Sequence, residues 1–116
     1  MRVDLPWPPR HLSPNARVHW AVLARDKAAY RFSCMWLAKV AFCATGEPAF
    51  AVPVLVAIHF SPPDNRGRDL DNMLASCKAG LDGVAQAIGV DDKHWHLELS
   101  RGPVVKGGAV ILTIGG

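Results

Sequence analysis

The sequence predicts a mixed α/β (α+β) fold: one small domain spanning residues 1–116, in which a mixed β-sheet is covered by two helices. Length is the first reason, because 116 residues can bury one core but cannot divide their apolar side chains between two stable units. Composition is the second: 50% hydrophobic and 20% charged residues describe a packed chain and not a disordered tail. Pattern is the third. Two long segments of helical periodicity alternate with short β-branched runs in the order strand, helix, strand, helix, strand, strand.

Met1 to Leu5 read as a short strand, after which Pro6, Pro8, Pro9 and Pro14 forbid regular pairing and leave an extended surface loop to about Asn15. From about Val18 to Phe42 no proline or glycine interrupts. Trp20, Leu23, Tyr30, Cys34, Leu37 and Ala41 recur there mostly at three- and four-residue intervals, as on one helical face, and Gly46 with Pro48 ends the helix. Val52 to Phe60 is short, apolar and β-branched between Pro48 and Ser61-Pro62-Pro63, which reads as a buried strand with Pro53 at its start. A polar loop, Asp64 to Arg68, leads into a second helix from Asp69 or Leu70 to Ile88. Its apolar face is Leu70, Met73, Leu74, Cys77, Leu81, Val84, Ala85 and Ile88; Asp69 is suited to cap it and Gly89 to stop it. His96 to Ser100 and Ala109 to Ile114 form two further strands, joined through a turn with Gly102, Pro103, Gly107 and Gly108.

A formal net charge of +3 permits a local basic face, and hence nucleic acid as a partner, without demanding it. Small size favours a dimer, which enlarges both core and footprint. Cys34, Cys43 and Cys77 are odd in number and lack a C-x-x-C pair, so the expectation is reduced, buried thiols and neither a disulfide framework nor a zinc ribbon. The opening M-R-V-D-L-P-W-P-P lacks the apolar run of a signal peptide, and no stretch approaches membrane-spanning length; the expected compartment is the cytoplasm.

Chemistry concentrates in R-D-L-D-N, Arg68 to Asn72, followed by Lys78, Asp82 and the pair Asp91-Asp92. At about 100° per residue, Asp71, Lys78 and Asp82 fall within roughly 40° of one another, beside the apolar face, so that they can line one cleft. Asp91 or Asp92 can approach that stripe from the turn after Gly89. Clustered carboxylates repel one another unless a cation neutralises them, and hard oxygen ligands suit Mg²⁺ or Mn²⁺, which orient water and stabilise charge on a phosphate under attack. Lys78 can set a fixed positive charge against the same phosphate. The same residues also suit plainer roles: Asp69 as a helix cap, Asp71 and Asp82 on a solvated face, Asp91-Asp92 in a turn.

At these residues the sequence resembles the RusA family of crossover junction endodeoxyribonucleases, over most of the chain. L-P-W-P-P (Leu5 to Pro9) with the later Asn15 is similar to the family's proline-rich start. P-D-N-R-G-R-D-L-D-N (Pro63 to Asn72) resembles its basic approach to a D-x-D-N signature, K-A-G-L-D (Lys78 to Asp82) its K-x-x-x-D segment, and G-V-D-D (Gly89 to Asp92) its acidic pair. V-K-G-G (Val105 to Gly108) precedes the last strand as it does in that family. The resemblance implies a Mg²⁺-dependent endonuclease of DNA recombination and repair, acting as a homodimer on four-way junctions. It gives Asp69, Asp71 and Asp92 the metal-binding and catalytic role and Lys78 that of the essential lysine, with Asp91 a further metal candidate and Asp82 and Asn72 in support. The chain departs from the family pattern at the lysine, which usually follows the signature asparagine by three residues, whereas Lys78 follows Asn72 by six. Either the insertion adds about one helical turn and returns the lysine to nearly the same face, about 4.5 Å along the axis, or it lengthens the loop and the helix starts later.

Arg66 and Arg68 are candidates to hold phosphates beside the acidic site, with Lys93, Arg101 and Lys106 extending that DNA-binding surface. His94 and His96 could ligate a metal from alternate strand positions, but no second cluster completes a zinc site, and surface histidines are the simpler reading. Trp7, Trp20, Trp36 and Trp95 offer faces for stacking on exposed bases, although core packing suits Trp20 and Trp36 better; P-W-P-P is read as a loop that braces the fold. Three functions compete: a junction-resolving endonuclease leaving 5′-phosphate and 3′-hydroxyl ends, a junction-binding protein with weak or no cleavage, and a structural protein whose acids only solubilise a helix.

Overall fold

Residues 1–46 and 49–115 are described in the computed structural model; Pro48, expected to help end the first helix, lies outside the described residues. Strand β1 (Arg2–Leu5) is followed by a 3-10 turn at Arg10–Leu12, helix α1 (Trp20–Thr45) and strand β2 (Val54–Ser61). Helices α2 (Leu70–Ser76) and α3 (Lys78–Ile88), a second 3-10 turn at Asp92–His94, and strands β3 (Trp95–Arg101) and β4 (Ala109–Ile114) complete the chain.

The four strands form one mixed sheet in the order β1-β4-β2-β3. β4 pairs antiparallel with both β1 and β2, whereas β2 and β3 run parallel. A parallel pair needs a crossover, and α2 with α3 supplies it. Alternation places Val54, Val56, Ile58 and Phe60 of β2, Val110, Leu112 and Ile114 of β4, and Val3 and Leu5 of β1 in the core. Register brings these rows together, with Ile58 opposite Leu112, Phe60 opposite Val110 and Val3 opposite Leu112.

The first helix is present, and Gly46 stops it in the left-handed conformation at φ 69°. Its buried face differs from expectation. Tyr30, Cys34 and Ala38 are buried, with Leu23, Ala41 and Phe42 packed beside them, while Leu37 is 42% and Trp20 76% exposed. Leu37 lies at the margin of the stripe centred near Cys34, and Trp20, in the first turn, packs its ring against His19 at 5.5 Å. Trp36, expected in the core, is 50% exposed because it sits on the opposite side with Phe32, whose ring it meets edge-on at 6.2 Å.

The expected second helix is two, broken at Cys77 (φ −90°, ψ −4°), so three helices cover the sheet rather than two. The Cys77 amide is shared between the carbonyls of Met73 and Leu74, and the Ser76 hydroxyl bonds back to the Asn72 carbonyl at 2.9 Å, a contact that bends helices. Cys77 itself stays near helical geometry, so the apolar face carries across: Met73, Cys77, Leu81, Val84 and Ile88 are all buried. The residues between Asn72 and Lys78 therefore lie in helix, and the insertion does not lengthen the loop. All three cysteines are free; Cys34 and Cys77 are buried as expected, Cys43 is exposed.

α1 and α3 cross at close range. A Cβ built on Gly83 would lie 2.3 Å from the Arg31 carbonyl oxygen, and one on Gly80 would lie 2.5 Å from the Tyr30 ring. In an open helix Gly→Ala stabilises by about 1 kcal/mol; here backbone blocks the methyl, and overpacking of about 1–3 kcal/mol reverses the sign. Gly83→Ala is expected to lower the urea midpoint, whereas Gly67→Ala, with nothing within 4 Å of its Cβ, should leave stability within about 0.5 kcal/mol of the parent.

Candidate active site

Trp7 braces the loop that approaches the acidic residues. Its ring meets Phe60 edge-on at 6.4 Å, and the Arg68 guanidinium lies over it at 5.6 Å from the centroid. Arg68 Nη1 also donates to Asp64 Oδ1 at 2.8 Å, and Arg101 Nη1 donates to the Arg68 carbonyl at 2.9 Å. Asp64 thereby sits below the ordinary carboxylate range, chiefly through the Arg68 hydrogen bond and then the Arg66 amide. From the other side the V-K-G-G turn closes against Trp7, where a Cβ on Gly108 would lie 2.8 Å from the Trp7 side chain.

Beyond this brace Asp69 stands at the N-cap of α2 with extended backbone, but its carboxylate makes no capping hydrogen bond. It opens on a cleft of about 570 Å³ with Arg66, Arg68, Asn72 and Trp7. An adjoining cleft of about 660 Å³ shares Ser13, Ala16 and Ser76 with the first and is lined by Asp71, Lys78 and Asp82, the stripe that helical spacing places together. Lys78 Nζ donates to Asp82 Oδ1 at 2.8 Å and also pairs with Asp92, which the second 3-10 turn presents from beyond α3. Those two hydrogen bonds, Asp82 first, hold the Lys78 ammonium above its ordinary pKa. A protonated amine thus stands at the rim throughout the neutral range.

Asp91 serves the turn itself: its carboxylate accepts the Lys93 amide at 3.0 Å, which together with Asp92 holds it below the ordinary carboxylate range. Trp95 Nε1 anchors the same turn on the Val90 carbonyl at 3.0 Å, so this indole is engaged within the fold. A third depression, sharing Asp82 with the second, is lined by Arg31, Gln86, Asp91 and Asp92. Arg31 reaches it from α1, with Nη2 on Gln86 Oε1 at 2.9 Å. Sequence reasoning passed over Arg31, and over His11 and Asp26, which pair at 2.6 Å beside the second cleft. Spacing within α1 carries no sign of which polar residue meets another segment.

Among the described residues no three histidines, cysteines or carboxylates stand close enough to hold a metal ion. Asp69, Asp71 and Asp92 offer oxygen donors of the kind that suits Mg²⁺, but Asp69 and Asp71 open on different clefts and Asp92 is paired with Lys78. Within one chain the set does not assemble into a coordination sphere. Of the basic candidates, Arg66, Lys93, Arg101 and Lys106 are exposed, while the Arg68 side chain is only 19% exposed and its guanidinium is engaged by Asp64 and Trp7. His94 and His96 are exposed. No helix among the described residues is long and apolar enough to cross a membrane.

The Asp64–Arg68 latch generates a pH prediction. A carboxyl whose folded pKa is depressed contributes stability above its unfolded value, about 3.9, and loses it as pH falls through the folded value. Asp64→Asn is therefore expected to melt below the parent at pH 7, and the gap should narrow under acid below about pH 4, as followed by circular dichroism.

No family model matches the chain. An uncharacterized protein of Xylella fastidiosa is 39% identical over 98% of this chain and 75% of its own length. The crossover junction endodeoxyribonuclease RusA of Escherichia coli K12 is 35% identical over 97% of this chain and 91% of its own, and that of Enterobacteria phage 82 is 34% identical with the same coverage. Identity at this level along almost the whole of both chains places the present chain in the RusA family of crossover junction endodeoxyribonucleases.

Proposed function

We propose that this protein is a structure-selective endodeoxyribonuclease that resolves four-way DNA junctions at the cleft of Asp71, Lys78 and Asp82, with Asp92 paired to Lys78 at its rim. The observation that carries the proposal is Lys78: a protonated amine held by Asp82 and Asp92 at the rim of a cleft that Asp71 also lines. A phosphate entering there meets a fixed positive charge, which stabilises the additional negative charge of the pentavalent transition state. Asp71, without an ion-pair partner among the described residues, is available to orient or deprotonate the attacking water. Attack forms the new oxygen–phosphorus bond and breaks the bond to the 3′ oxygen, leaving 5′-phosphate and 3′-hydroxyl ends. Exposed Arg66, Lys93, Arg101 and Lys106 supply phosphate contacts on either side.

Mg²⁺ or Mn²⁺ is proposed as counter-ion from the donor chemistry alone. Incubation with a mobile four-way junction, in Mg²⁺ and in EDTA, tests both activity and metal requirement. Nicked duplexes only in Mg²⁺ support the full reading; a gel shift without cuts in either buffer would make the protein a junction-binding module instead.

Asp71→Asn or Asp92→Asn is expected to reduce cleavage by at least about 100-fold with junction binding retained. Lys78→Met should cut turnover comparably, and Lys78→Arg should recover little, because a planar guanidinium does not occupy the place of a compact ammonium. Ala75 lines the same cleft one turn nearer Asp71, so Ala75→Lys in the Lys78→Met background restores the family's usual spacing and should return part of the activity. Full activity in Lys78→Met alone would remove the lysine from the mechanism.

A homodimer is also proposed, supported by an apolar stripe on the solvent side of α1: Phe32, Trp36 and Val40 are 59%, 50% and 63% exposed. Sedimentation should give twice the chain mass at micromolar concentration, and Trp36→Asp should shift it towards the monomer.

A further inference from the structure

We propose that His11, anchored by Asp26, is a further substrate-contacting residue of this cleft, donating from Nε2 to a DNA phosphate that lies beside Asp71 and Lys78. The inference rests on the nuclease reading above and adds a residue to it. His11 belongs to the 3-10 turn after the proline-rich start, and its Nδ1 donates to Asp26 Oδ2 of α1 at 2.6 Å. The two meet across 15 positions of sequence, with the Asp26 side chain 18% and the His11 side chain 37% exposed. Such a bond fixes the ring plane and commits Nδ1–H, which leaves Nε2 as the nitrogen that can meet a ligand. Among the described residues Nε2 has no hydrogen-bond partner, and His11 lines the same cleft as Asp71, Lys78 and Asp82.

Cationic side chains reach this end of the cleft from several elements. α1 contributes Lys27 to the cleft wall and Arg25, which stands 3.5 Å from the far oxygen of Asp26; the 3-10 turn itself carries Arg10. α2 contributes Asp71, and α3 contributes Lys78 with Asp82. Asp82 shares the Lys78 ammonium with Asp92, and Asp26 is engaged by His11, so the groups in this cleft without an ion-pair partner among the described residues include the Lys27 ammonium and the Asp71 carboxylate. The Asp26 carboxyl lies below its ordinary range, chiefly because of the His11 hydrogen bond, as expected of a carboxylate that stays ionised behind the ring. With Nδ1–H committed, neutral imidazole presents only a lone pair at Nε2, whereas imidazolium presents a charged donor. Contact with phosphate is therefore made by the protonated ring and weakens as the solution becomes alkaline.

A purely structural pair, tying the N-terminal loop to α1, would hold the loop equally well without any effect of DNA on the ring. The test uses the full-length protein and a four-way junction in EDTA, so that binding is read without cutting. In the parent, lowering the pH from 8 to 6 should tighten binding and steepen the slope of log affinity against log salt by about one more unit than in His11→Gln, the increment of one phosphate contact. At pH 6 His11→Gln should bind on the order of tenfold more weakly than the parent, and at pH 8 nearly equally. The imidazole Cε1–H signal of His11 in the unmutated protein should move when the junction is added in EDTA, and Asp26→Asn, which releases the ring, should weaken that response. A His11 signal unmoved by DNA, or the same pH dependence in His11→Gln and the parent, would overturn the inference while parental cleavage in Mg²⁺ leaves the nuclease reading standing. Failure of the parent to bind or cut the junction would remove both.

Discussion

The close crossing of α1 over α3 is the constraint on which the rest of the molecule depends. Gly80 and Gly83 let α3 approach until it touches the backbone of α1 at Arg31 and the Tyr30 side chain. Once the helices are in that contact, the rotation of α1 is settled: Tyr30, Cys34 and Ala38 turn inward, and Phe32, Trp36 and Val40 turn to solvent. The same rotation carries Arg31 to the wall shared with Asp82 and Asp92, and Asp26 to the 3-10 turn that bears His11. Burial reinforces the contact, since Cys34 and Cys77 pack around Tyr30, and desolvation pushes their thiols up to about 11 and about 12. At neutral pH they are protonated apolar fillers and not nucleophiles. Tyr30 completes the arrangement by donating from its hydroxyl to the Pro6 carbonyl at 2.7 Å, tying the proline-rich segment to the helix pair.

Charge is distributed unevenly over this scaffold. Asp64, Asp26, Asp82 and Asp92 each have a cationic or imidazole partner, and Asp91 caps a turn. Asp69 and Asp71 have no such partner among the described residues, although Asp69 stands where a carboxylate commonly caps a helix. Leaving a capping position unused forgoes about 1 kcal/mol of helix stabilisation. Neighbouring acids left unpaired on adjoining clefts are a feature that stability alone does not favour, and it is consistent with a site that takes a cationic group.

Rigidity around the loop from Asp64 to Asp69 comes from aromatic and guanidinium contacts more than from regular structure. Trp7 is fixed by Phe60 and by the Gly108 turn, Arg68 is fixed by Trp7 and Asp64, and Arg101 holds the Arg68 carbonyl. Segments from four places in the sequence thus meet behind Asp69. A functional carboxylate on a loop needs such support, because a loop free to move cannot hold it in a productive place.

Local pattern by itself determined much of this protein. Dense β-branched and apolar runs in Val52 to Phe60 and Ala109 to Ile114, bounded by proline and glycine, specified strands, and the three- and four-residue spacing from Leu70 to Ile88 specified the apolar side that α2 and α3 share. That spacing also put Asp71, Lys78 and Asp82 on one stripe, and it survives the break at Cys77 because the residue there keeps near-helical angles. Ordered motifs pointed to the family, since they record chemistry in residue types that can be read without coordinates. The tertiary structure alone decided which side of α1 is buried: Leu37 and Cys34 are equally compatible with a helical face, and only the glycine contact with α3 chooses between neighbouring rotations. It alone decided that Arg68 is a brace more than an open phosphate contact, that Lys78 is held by Asp82 and Asp92, and that His11 meets Asp26 beside the acidic cleft. Each of those pairs joins side chains whose relation depends on how elements dock and on the path of a loop, and neither periodicity nor propensity carries that information.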